Sequence, residues 1–135
     1  MRIGRLAAGA TLACTLLLLT GCGPSLHDNK TVPVEFNSVA WLEIPAGKSE
    51  RKVTVKINSP DTPIRAYLVL KDKEEEAKKA LWSKPKEKPD GVLAGQEEPS
   101  SDFTLEATVG ANKESTVLFV GGKKTADVKV EIIGK

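Results

Sequence analysis

The chain has 135 residues, 40% of them hydrophobic and only 4% aromatic, with 20 basic and 18 acidic side chains and a formal net charge of +2. That length suits one ordinary domain and is too short for two comfortable ones. A charge so near zero gives no basic field to draw in nucleic acid, and a single histidine leaves no second imidazole for a histidine-based metal site.

The first 22 residues have the build of an export signal: Arg2 and Arg5 give a positive start, and Leu6 to Thr20 form an uncharged, mostly apolar core. That core falls short of the roughly 20 apolar residues a membrane-spanning helix needs, so cleavage is expected rather than a permanent span. Leu19, Thr20, Gly21 and Cys22 fill the four places of a lipobox, and here the chain resembles the bacterial lipoprotein signal. The resemblance implies removal of residues 1–21, acylation of Cys22 with palmitate-type chains, and attachment to the membrane of the cell envelope. Gly23, where such proteins often carry aspartate for inner-membrane retention, favours the outer membrane if the cell has one, and otherwise the exterior face of the cell membrane. The plainer alternative is a secreted protein whose cleavage site happens to hold a cysteine. Loss of Arg2 and Arg5 brings the charge to zero, and Cys22 is then the one remaining cysteine. No disulfide framework is available, so stability must come from burying aliphatic side chains.

Residues 22–30, with Gly23, Pro24, Ser25, Asp28 and Asn29, read as a flexible tether before a domain over 31–135. Extended at about 3.3 Å per residue, such a tether reaches some 25 to 30 Å. From Thr31 the period becomes two. Val53, Val55 and Ile57 alternate with Lys52, Thr54 and Lys56; Phe103, Leu105, Ala107 and Val109 with Thr104, Glu106 and Thr108; Ala126, Val128, Val130 and Ile132 with Asp127, Lys129 and Glu131. Each run suits a strand with one face on a core and one in water. Ile64, Ala66, Leu68 and Leu70 make a fourth strand, whose second face carries Tyr67 and Val69 and so also asks for cover. Val117 to Val120 reads as a buried strand ending in a tight turn at Gly121 and Gly122, and Val32, Val34, Phe36 and Val39 to Ile44 supply two more. About seven short strands without crossover helices predict an all-β fold, an antiparallel β-sandwich of the immunoglobulin-like type.

One long insertion, residues 71–101, breaks the pattern. Glu74 with Lys78 and Glu75 with Lys79 have the favourable four-residue spacing of a short helix. Lys84, Pro85, Lys86, Lys88 and Pro89 cannot continue it, and Val92, Leu93 and Ala94 are expected to dock back as a short edge strand before Gly95. The run Ile44, Pro45, Ala46, Gly47, Lys48, then Val53, Val55, Ile57, then Ile64 to Leu70 resembles in pattern the β-sandwich modules of envelope and secreted proteins, including the pre-peptidase C-terminal type. That resemblance implies a module that binds, spaces or stabilises, and it carries over no functional residue.

The residues offer little catalytic chemistry. His27 lies in the expected tether, where nothing would hold it rigidly for a triad. Glu74, Glu75 and Glu76, like Glu97 and Glu98, lack the spaced ligands of a calcium loop and read as solvated faces. A carboxylate-dependent hydrolase ranks last because no two acids are singled out for a common cleft. Thus no catalytic residue, metal ligand or cofactor is expected. Trp82 with Lys84, Lys86 and Lys88 is the one cluster with the composition of a binding surface, for a ring can stack on a sugar while lysines meet anions. The bland reading packs Trp82 on the sandwich and leaves the lysines in water, and Trp41 is read as core or sheet-surface packing. The chain is therefore read as a non-enzymatic binding, scaffolding or structural module in the envelope, with an envelope protein or polysaccharide as partner; the alternative is a carbohydrate or envelope-polymer binder using residues 71–101.

Overall fold

The computed structural model describes residues 26–135, and within them it forms two antiparallel four-stranded sheets packed face to face. The strands are β1 (Leu26–Val34), β2 (Val39–Ile44), β3 (Arg51–Asn58), β4 (Ile64–Leu70), β5 (Val92–Ser100), β6 (Asp102–Val109), β7 (Ser115–Val120) and β8 (Ala126–Gly134). A 3-10 turn at Lys71–Lys73 leads into the single helix of the described residues, α1 (Glu74–Ser83). The signal peptide (1–21), Cys22 and the tether's first residues, 23–25, lie outside the described residues.

The antiparallel sandwich expected from the period-two runs is what forms. Val53, Val55 and Ile57 of β3, Leu105 of β6 and Val128, Val130 and Ile132 of β8 turn inward from one sheet. Val117 and Phe119 of β7 and Ile64, Ala66 and Leu68 of β4 meet them from the other. Alternation puts each apolar set on one face, and the two faces together exclude water from a continuous core.

Two features of the wiring differ from expectation. The sheets have the orders β1-β8-β3-β6 and β2-β7-β4-β5, so pairs form between first and eighth, second and seventh, third and sixth, fourth and fifth. That is one long antiparallel ribbon rolled into a sandwich, a jelly roll, whereas an immunoglobulin domain pairs its first two strands within one sheet. There are eight strands among the described residues rather than about seven, because β5 does not stop before Gly95 but runs on to Ser100. It does so with register shifts against β4, between Ile64 and Ala66 and between Leu68 and Val69, and with Pro99 at a place where an edge strand tolerates a missing donor.

Further corrections concern smaller pieces. Leu26 to Lys30, given to the tether by composition, form the first half of β1 and pair with Gly134 to Val130 of β8. Phe36 is not in a strand; it stands 61% exposed in the β1–β2 turn, where Asn37 adopts a positive φ of 53°. Gly121 and Gly122 do not close a hairpin, since β7 and β8 belong to different sheets. Gly121 is required for close approach instead: a Cβ there would collide with the Glu35 carbonyl oxygen.

Candidate functional site

Helix α1 lies on the outer face of the second sheet, the face that Tyr67 and Val69 left in need of cover. Its buried side chains are Glu74, Ala77 and Leu81, which fall on one stripe at helical spacing. Ala77 and Leu81 pack with Val39, Tyr67, Val69, Leu118 and Val120, a second apolar cluster separate from the inter-sheet core. The Tyr67 ring packs close to β5, where a Cβ on Gly95 would come within 2.6 Å of it.

Glu74 corrects the reading of the acidic run as a solvated face. It is 4% exposed, and its carboxylate accepts hydrogen bonds from the Thr116 hydroxyl at 2.6 Å, from Lys78 Nζ at 2.8 Å and from Lys71 Nζ at 3.2 Å. Burial by itself would raise the carboxyl; the bonds from Lys78, Thr116 and Lys71 outweigh it and hold the group at about 2. Lys71 also reaches Glu43 of β2 at 2.6 Å, and its ammonium is held above its ordinary range by the hydrogen bonds to Glu43 and then Glu74. The first helical turn is thereby riveted to β2 and β7, with negative charge at the helix N-terminus where the backbone dipole favours it. Glu75 and Glu76 remain exposed, and Glu75 approaches Lys78 at 3.6 Å rather than Lys79.

The stripe next to the buried one carries Lys78 and, one turn later, Trp82. Because only a narrow stripe is buried, Trp82 is 61% exposed, contrary to the expectation that it packs on the sandwich. Lys78 Nζ sits 3.6 Å from the centroid of the Trp41 ring, a cation–π contact across the helix–sheet junction. Trp41 points outward from β2 and is 48% exposed. It also borders a shallow recess of about 430 Å³ lined by Pro33, Glu35, Ser38 and Val39, beside the turn that carries Phe36. A partly apolar band therefore runs from α1 over Trp41 to the β1–β2 turn.

The lysines singled out with Trp82 do not share one environment. Lys84 follows the last helical turn, its N–H donating to the Ala80 carbonyl at 2.7 Å. Lys86 borders a different recess, beside Arg65 and Lys123. Lys88 stands 4.0 Å from Glu97 on β5. All three side chains are exposed. Trp41, which sequence reasoning treated as packing, is the residue of the surface that it missed; the outward parity of position 41 against Ala40 and Leu42 was the available signal.

His27 is fixed in β1, its Nε2 2.8 Å from Glu131 Oε2. Among the described residues no three His, Cys, Asp or Glu side chains gather as a metal site would need, and no helix is long and apolar enough to cross a membrane.

No family model matches this chain, and no curated protein matches it by sequence. A likeness appears among solved structures. PliG of Aeromonas hydrophila, a periplasmic lysozyme inhibitor of g-type lysozyme, superposes with a TM-score of 0.50 at 8% identity, over 87% of this chain and 93% of that one. At that identity the likeness is one of fold.

Proposed function

We propose that this chain is a non-enzymatic binding module of the cell envelope, held to a membrane through an acylated Cys22, and that it takes a protein partner on the band formed by Trp82, Lys78 and Trp41. The observation that carries the reading is the exposure of both tryptophans, 61% and 48%, where the other large apolar side chains of the described residues, Phe36 and Leu93 apart, are buried or half-buried in or against two clusters. Tryptophan contributes a large contact area at low cost in side-chain entropy, and is enriched where binding energy concentrates in interfaces. The fold likeness to PliG, itself an inhibitor of another protein, supports a protein as the partner.

A second reading, binding of an envelope polysaccharide through Trp82, Lys84, Lys86 and Lys88, is favoured by one observation: the Trp82 ring is open to solvent, as stacking on a sugar requires. Photo-cross-linking in cells separates the two. A benzophenone amino acid placed at Trp82 and at Trp41 is expected to give the same discrete protease-sensitive adduct, absent when the probe replaces Thr108 on the outer face of the first sheet. An adduct sensitive to muramidase and not to protease would transfer the surface to the polysaccharide reading. Equal labelling at Thr108 would overturn both. Purified g-type lysozyme is the first defined protein to test, by the loss of its lytic activity in the presence of this chain.

A further inference from the structure

The pole of the sandwich where β4 begins and β7 ends holds a second recess, of about 550 Å³. Its floor is apolar, from Pro63, Ile64, Pro99 and Val120, and three cations border it: Arg65, Lys86 and Lys123. No acidic side chain lines it; of the three acids next in sequence to a lining residue, Glu87 and Glu98 are outside the lining, and Asp61 accepts from the Asp127 N–H at 3.5 Å. Each wall is fixed by a different constraint. Arg65 Nε donates to the Glu97 carbonyl at 2.7 Å, which the β4–β5 register shift releases from the ladder, and Nη1 donates to the Pro85 carbonyl at 3.1 Å. Nη2 has no hydrogen-bond partner among the described residues, and it belongs to a guanidinium already held in place, so little rotamer freedom remains to be lost on binding. Opposite, a Cβ on Gly122 would stand 2.5 Å from the Pro63 carbonyl, which marks how closely the β7–β8 loop is pressed to the β3–β4 turn.

We propose that this recess binds an extended acidic peptide segment of a protein partner, its carboxylates meeting Arg65, Lys86 and Lys123 and its apolar side chains resting on the floor. Charge complementarity selects the anion, and three cations over an apolar floor suit carboxylates that alternate with apolar side chains. A glycan would want an aromatic platform, and no aromatic ring lines the recess. An anionic lipid would need the pole to face a membrane. The chain enters the domain at Leu26, at the other end of β1, a strand of nine residues and so about 30 Å long. On the anchored reading proposed above, the recess therefore points away from the bilayer.

The site is distinct from the tryptophan band, and its test is separate. The full chain, labelled with 15N, is titrated with a terminally blocked hexapeptide of alternating Glu and Leu, with its Lys counterpart, with an oligogalacturonate and with phosphatidylglycerol vesicles. The Glu peptide is expected to shift the amides of Ile64, Gly122 and Lys123 saturably, to bind more weakly as salt is raised, and to lose at least fivefold in affinity in Lys86→Glu/Lys123→Glu. Both positions are exposed, and an unchanged melting temperature confirms that the variant folds. Trp82→Ala is expected to leave this binding intact, so failure of the tryptophan reading and failure of this one are told apart. The inference is overturned if the Glu peptide gives no saturable shift at these amides, if the Lys peptide shifts them equally, if the charge reversals change nothing, or if only the uronate or the vesicles bind.

Discussion

Glu74 shows how one residue can fasten an element. Its carboxylate is out of water, and removing it would leave the Thr116 hydroxyl without its partner and Lys78 with only the more distant Glu75 at 3.6 Å. Breaking such a buried arrangement costs more than the pair itself contributes. Glu74→Ala is therefore expected to lower stability at pH 7 by about 2–4 kcal/mol, read from the urea midpoint. The sign with pH follows from the depressed carboxyl. A group whose folded value lies near 2, against an ordinary 4.5, stabilises fully above 4.5, and that contribution is lost as pH falls toward 2. The native chain should lose stability across that window more steeply than Glu74→Ala; parallel slopes would show that another carboxylate governs acid unfolding. Tyr67 is the converse case. Its hydroxyl is buried with no hydrogen-bond partner among the described residues, and burial, the largest influence on it, raises its pKa. Tyr67→Phe is expected to stabilise by about 1 kcal/mol, since it removes an unpaired polar group and keeps the ring. A fall in the urea midpoint would mean that the hydroxyl has a partner.

At the scale of elements, α1 is a lid on a sheet face rather than a free-standing helix, for ten residues are too few to hold helical structure alone in water. Leu81 is its apolar anchor, 1% exposed against Tyr67, Val69 and Leu118. Leu81→Ala is expected to cost about 2–4 kcal/mol and, more tellingly, to raise amide hydrogen exchange across 74–83 while β3 and β8 stay protected. Uniform deprotection would instead make the helix part of the cooperative core. The same lid explains the two tryptophans. Lys78 is held between the Glu74 carboxylate and the Trp41 face, so the helix places Trp82 and Trp41 on one side of the molecule without burying either. The four-residue spacing of Glu74 and Lys78 announced the helix, but spacing alone does not say which of three consecutive glutamates turns inward. That depended on Thr116, 42 positions later in the chain.

For the whole molecule, the ribbon topology sets where things lie. Strands pair as a single rolled hairpin whose apex is the segment carrying α1, so the insertion joins the two arms of the roll. The roll also brings Leu26, the β3 start and the C-terminus to one pole and the cationic recess to the other. Because β1 begins at Leu26, only residues 23–25 separate it from Cys22, and an anchored domain would stand within about 14 Å of its lipids rather than the 25 to 30 Å of a nine-residue tether. Labelled palmitate is expected to enter the native chain and not Cys22→Ser, which should leave the membrane fraction. Two or more acyl chains anchor a protein firmly, whereas a single apolar leader segment that is cut away does not. Palmitate in Cys22→Ser would refute the anchor.

By itself the sequence determined the class of fold, because period-two alternation in Val53–Ile57, Phe103–Val109 and Ala126–Ile132 admits only strands with one buried face, and it located the helix, because Glu–Lys spacing and the prolines after it bound a short helical turn. Only the tertiary structure decided strand order, the inward turn of Glu74, the exposure of Trp82 and the meeting of Arg65, Lys86 and Lys123. Alternation is a local property, and it says which face of a strand is apolar without naming its neighbour. Pairing Val32 with Val128 joins the two ends of the domain, and Glu74 meets Thr116 across 42 positions; both contacts are fixed when the ribbon rolls and not before.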